Sequence, residues 1–133
     1  MTIQRINPPE LPRPSGYSHA TVATGRIVFL AGQTALDATG RIIDGTVVDQ
    51  FGLALGNLLT ALAAAGGTPS DLASLTIYAT NLADYQGHAA AIGDVWRRLA
   101  GRDYPAMALI GVDRLWDLEA VVEIQGYAVL SDG

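Results

Sequence analysis

Between Tyr104 and Val129 the chain carries two apolar runs separated by a charged turn, and a fold that holds them must bury most of a sheet. Tyr104-Pro105-Ala106-Met107-Ala108-Leu109-Ile110-Gly111-Val112 is nearly uninterrupted and opens on a proline, the pattern of a strand buried on both faces. Asp113 to Glu119 makes the turn. The second run alternates Val122, Ile124 and Ala128 with Glu123, Gln125 and Tyr127, so these two sets point to opposite faces. Read as adjacent strands, the two runs set Glu123 beside either the Met107 and Leu109 row or the Ala108 and Ile110 row of its neighbour. One carboxylate then stands in an apolar neighbourhood, and it is the leading candidate for chemistry.

The rest of the chain supplies the elements that would cover this sheet. Val48, Phe51, Leu55, Leu58, Leu59 and Leu62 recur at spacings of three and four, which predicts a helix with one buried stripe, stopped by Gly66-Gly67 and Pro69. Leu72 to Thr80 alternates as a strand, and Ala89, Ile92, Val95, Trp96 and Leu99 mark a second helix over about Tyr85 to Ala100. Upstream, Gly16 to Thr24 and Ile27 to Ala31 read as a hairpin about Gly25-Arg26, ended by Gly32-Gln33-Thr34. Arg41-Ile42-Ile43 reads as a short extra strand. The prolines of Met1 to Gly16 predict an extended surface arm. The order is strand, strand, helix, strand, helix, strand, strand: one α+β domain over residues 1–133, with two helices packed on one face of a sheet. The uncovered face is too apolar for water, so burial against further copies of the chain is expected.

A chain of 133 residues, half of them apolar, suffices for one compact core. Without a cysteine it has no disulfide, thiolate metal site or cysteine nucleophile, and the cytoplasm is the expected compartment. Met1 to Gly16 does not read as a secretory leader, and no stretch is expected to span a membrane. A formal charge of −5 with scattered basic residues opposes binding to a phosphate backbone. His19 and His88 stand on different elements without a second ligand at metal-binding spacing, so no metal site is expected. Ser15, Ser18 and Thr34 lack the surroundings of a nucleophile elbow.

Several short segments, in order, resemble the Rid family, also called YjgF: Gly16-Tyr17, Ala31-Gly32-Gln33, Ala64-Ala65-Gly66, Thr76-Ile77-Tyr78, Tyr104-Pro105-Ala106, Asp113-Arg114-Leu115, Val122-Glu123-Ile124 and Ala128-Val129. The resemblance covers nearly the whole chain. It implies a chorismate-mutase-like α+β fold with a mixed sheet, assembled as a homotrimer with clefts between subunits. The best-known branch of the family hydrolyses reactive enamines and imines to ketones and ammonia, without metal or organic cofactor. In that branch a carboxylate holds the water, and an arginine directly after the Pro-Ala dipeptide binds the substrate carboxylate. Glu123 matches the first position. Met107 stands at the second, and a thioether has neither positive charge nor the paired donors of a guanidinium. An asparagine used by that branch falls near Ala90. The resemblance therefore implies a small-molecule site whose substrate is not an imine of an amino acid.

Each candidate also has a structural reading. Glu123 either supplies the proton and holds the water of imine hydrolysis, or bonds a neighbouring subunit's backbone or an arginine. Tyr17 is either a wall of a pocket with its hydroxyl on the ligand, or an interface aromatic. Gly32 either offers its backbone to a ligand or ends a strand. Met107 shapes the pocket, and Trp116 lines a cleft or packs at an interface. Two functions follow: a Rid-like imine or enamine hydrolase acting through Glu123 and water, and a non-catalytic small-molecule-binding or regulatory trimer. A third, ribonuclease activity, is opposed by the acidic charge.

Overall fold

The structure is a computed structural model that describes residues 3–131. Helix α1 (Val47–Ala64) begins at a reciprocal cap: the Thr46 hydroxyl accepts from the Asp49 N–H at 3.2 Å, and the Asp49 carboxylate accepts from the Thr46 N–H at 2.9 Å. It ends at Ala65 and Gly66, the latter turning the chain with φ 96°. Phe51, Leu55, Leu58 and Leu62 of the predicted stripe are buried against the sheet, together with Val47 and Ala54, while Val48 and Leu59 are only partly buried at its edge. By length and composition α1 is long enough to cross a membrane, which corrects the expectation that no stretch is; in the fold this stripe is covered by strands.

The main sheet comprises β3 (Arg26–Gln33), β4 (Leu72–Ala79), β5 (Ala106–Gly111) and β6 (Val122–Leu130), in the order β3-β6-β4-β5. β6 is antiparallel to both neighbours, and β4 is parallel to β5. The two strands expected to be adjacent are thus separated by β4. Two helices, α2 (Leu82–Gly87) and α3 (Ala89–Ala100), carry the chain from β4 to β5, the crossover a parallel pair needs, and β6 then pairs on the other edge of β4. The expected second helix is therefore two helices, broken at His88 (φ −110°, ψ 17°), and the layer over the sheet holds three.

The expected hairpin does not form either. β2 (Ala20–Ala23) pairs with β1 (Ile3–Ile6) in a separate antiparallel ribbon, and β3 pairs with β6 from Arg26↔Leu130 onward. Gly25 redirects the chain between them: at φ 142° it packs so closely on the Leu130 carbonyl that a Cβ there would stand 2.0 Å from the oxygen. The N-terminal arm is a strand at Ile3–Ile6, with Ile3 buried, and the prolines lie in the connection that follows it. Arg41-Ile42-Ile43 contributes one isolated bridge, Leu36↔Ile42.

Helices cover one face of the sheet. On β6 the residues Val122, Ile124 and Ala128 join the core, while Glu123, Gln125 and Tyr127 face the other way. The β4–β6 pairing is locked where β4 carries an extra residue between Leu72 and Ser74: a Cβ on Gly126 would stand 2.0 Å from the Ser74 carbonyl oxygen. The entry to β6 is held by Gln50, a buried polar side chain of α1. Its amide donates to the Glu119 carbonyl at 3.1 Å and accepts from the Val121 N–H at 3.0 Å. Replacing Gln50 with leucine leaves both backbone groups without their partner, and a loss of roughly 1–3 kcal/mol in urea unfolding is expected.

Candidate functional site

Glu123 is half-buried on the face that no helix covers. Its neighbour on β4 is Tyr78, and Thr76 lies beside Gln125. The carboxylate therefore stands among hydroxyl and amide groups, not in the apolar setting expected from direct β5–β6 adjacency. On its other side β3 carries one residue more than β6 between Leu30 and Gln33. This bulge turns the Gly32 backbone onto the carboxylate: a Cβ there would lie 1.9 Å from Glu123 Oε2. Glu123 and Gly32 thus form one unit, and only a residue without a side chain permits it.

Tyr17 and Met107 form a second unit elsewhere. Ser18 is buried; its hydroxyl donates to the Tyr104 carbonyl at 2.6 Å and its N–H to the Pro105 carbonyl at 3.0 Å, fixing the segment along the start of β5. Tyr17 stands edge-on to the His19 ring, with centroids 5.2 Å apart, and His19 Nε2 is 2.7 Å from the Pro12 carbonyl. Met107 pairs with Leu75 and packs against the core, on the face opposite Glu123. Tyr17 and Met107 line one cavity of about 690 Å³. Its inner wall includes Phe51, Tyr85, Trp96 and Tyr104, with Trp96 and Tyr104 stacked at 6.1 Å. Burial pushes the Tyr85 hydroxyl up to about 12, so it stays neutral and donates or accepts without charge. Ala89 and Ala90 also line the cavity, leaving no amide there.

The sequence reading missed two charged groups in this cavity, Arg97 and Asp94. Arg97 of α3 lies against Gly93, pairs with Asp94, and has its guanidinium pKa raised by hydrogen bonding first to Tyr104 and then to Asp94. Glycine four residues before an arginine on one helix was the available signal. Trp116 is 91% exposed in the loop before β6, where Arg114 bonds the Leu115 and Trp116 carbonyls, each at 3.1 Å. His88 contacts Asp84 at the surface, and among the described residues no three metal-binding side chains converge.

The family model described as Endoribonuclease L-PSP matches residues 10–130. A RutC family protein of Pyrococcus horikoshii is 30% identical over 118 residues, 88% of this chain and 90% of that protein. A 2-iminobutanoate/2-iminopropanoate deaminase of Dermatophagoides farinae is 29% identical over 126 residues, 94% of each chain. Among solved structures, YyfB of Yersinia pestis, described as a Rid family protein of unknown function, matches with a TM-score of 0.87 at 34% identity, over 98% of this chain and 100% of that one.

The Gly32 contact gives a direct test. In Gly32→Ala the new methyl meets the free end of a flexible side chain, so the fold is expected to lose no more than ~1 kcal/mol while the Glu123 carboxylate swings away. A crystal structure of the variant showing the carboxylate unmoved would contradict this.

Proposed function

This chain belongs to the Rid family, and on that footing we propose that it hydrolyses an imine or enamine to a carbonyl compound and ammonia. The observation that carries the proposal is the Glu123 carboxylate held against Gly32, and the resemblance implies the family's water-holding carboxylate at this position. Water held by Glu123 adds to the carbon of a protonated C=N bond, and the carboxylate takes the proton that the water gives up. The protonated Glu123 returns this proton to the nitrogen of the carbinolamine, and ammonia leaves as the C=O bond forms and the hydroxyl proton passes back to the carboxylate. An enamine enters the same path after protonation at carbon.

In one protomer Glu123 and Met107 occupy opposite faces, so the reaction needs a cleft where two copies meet. We place it in a homotrimer. The apolar residues on the uncovered side support this, with Phe29 75% exposed beside Tyr127 on β3 and β6, and Ile110 exposed on β5. Each cleft would join Glu123 and Gly32 of one copy to Tyr17 and Met107 of the next. Met107 makes the wall beside the reacting carbon uncharged, which disfavours a substrate with a carboxylate on that carbon. No cofactor is required, and the cytoplasm is the proposed compartment. The name of the family model is not carried over as an activity, because a chain of net charge −5 repels a phosphate backbone.

The second reading, a non-catalytic small-molecule-binding trimer, draws support from Met107 and Ala90, which take polar groups out of the cavity. Ammonia release from a panel of freshly generated imines separates the two. Wild type is expected to turn over imines with no carboxylate on the reacting carbon, Glu123→Gln to lose roughly 10²–10⁴-fold in rate, and Met107→Arg to gain on imines of amino acids. No turnover by wild type on any member leaves the binding trimer as the function.

A further inference from the structure

A glycine inside a helix is unfavourable relative to alanine, and Gly93 stands in the middle of α3. What it permits is the position of Arg97. Side chains on a helix lean towards its N-terminus, so residue 97 covers residue 93. A Cβ on Gly93 would lie 3.3 Å from Arg97 Nη1 and 3.7 Å from Nη2, so the guanidinium rests directly on the bare helix backbone. It is thereby folded over the cavity, whereas Arg98 next to it is exposed. Tyr104 borders the same cavity from the strand side, and Asp94 pairs with the guanidinium on the solvent side.

We propose that Arg97 captures a carboxylate carried by the ligand away from its reacting carbon, while the ligand's apolar body lies against Trp96, Tyr104 and Tyr85. Among the described residues lining this cavity, Arg97 is the one cation and Asp94 the one anion. The guanidinium fork has five N–H donors, more than Asp94 engages. The Asp94 side chain is 76% exposed and that of Arg97 36%, so the existing pair is a weak, water-screened one that a ligand carboxylate can join or displace. The charge belongs to the helix layer, and Met107 to the sheet beneath it. The inference rests on the imine-hydrolase reading only in naming the compound: a C=N carbon without a carboxylate beside Met107 and an anionic group reaching Arg97. It excludes a purely apolar substrate.

The test uses unreactive probes, hydrocinnamate and its neutral amide, titrated calorimetrically into the full-length protein. Hydrocinnamate is expected to bind wild type at millimolar concentration or better, to weaken roughly tenfold or more in Arg97→Gln, and to tighten in Asp94→Asn. The amide is expected to bind wild type and Arg97→Gln equally. Arg97→Lys, which keeps the charge but not the fork, is expected to restore part of the carboxylate affinity. No binding of hydrocinnamate, or equal weakening of carboxylate and amide in Arg97→Gln, overturns the proposal. Glu123→Gln separates it from the hydrolase reading, since that variant is expected to lose turnover and keep hydrocinnamate affinity. Arg97-dependent binding in a protein that hydrolyses no imine would sink the hydrolase alone.

Discussion

Strand β6 is hydrogen-bonded along both edges, and everything placed around it follows from the different fates of its two faces. Val122, Ile124 and Ala128 anchor α1 and close the core. Their alternates, Glu123, Gln125 and Tyr127, are turned to the side that no helix covers. Because β6 lies between β3 and β4, Glu123 meets a bulged glycine on one side and a row of hydroxyl-bearing residues on the other. A central strand cannot shift without breaking two ladders, so the carboxylate is held by a backbone paired along both edges.

Periodicity made the elements legible and left their arrangement hidden. The three-and-four spacing of Phe51, Leu55, Leu58 and Leu62 located α1, and alternation located β4 and β6, because each pattern records burial of a single element. Strand order is a long-range property, and nothing between Gly111 and Val122 records that β4 will come between them. The hairpin was misread for the same reason: Gly25 is as consistent with a chain reversal as with the redirection it makes. At His88 the alanines on its C-terminal side favour helix, so a local reading runs α2 and α3 together.

The site divides in the same way. Glu123 was legible as a carboxylate facing away from the core, and its contact with Gly32 depends on a bulge that composition does not record. Tyr17 and Met107 were legible as pocket residues through the resemblance, and the structure sets them in one cavity. Ser18, Gln50 and Arg97 were missed as contributors because each acts at a place distant in the chain: the Tyr104 carbonyl, the start of β6 and the cavity that β5 helps to line. Polar residues that complete long-range contacts leave no periodic trace.

Gly126 carries a consequence for how such a scaffold changes over time. Its close approach to the Ser74 carbonyl means that sliding β6 along β4 would force a side chain into a space with no room for one, so the register is keyed at one residue. Position 123 is released from any part in that keying. Substitutions there, and at 107 across the sheet, can be sampled by drift without the strands losing their alignment. One invariant backbone can then host successive chemistries, with inheritance of shape uncoupled from inheritance of activity.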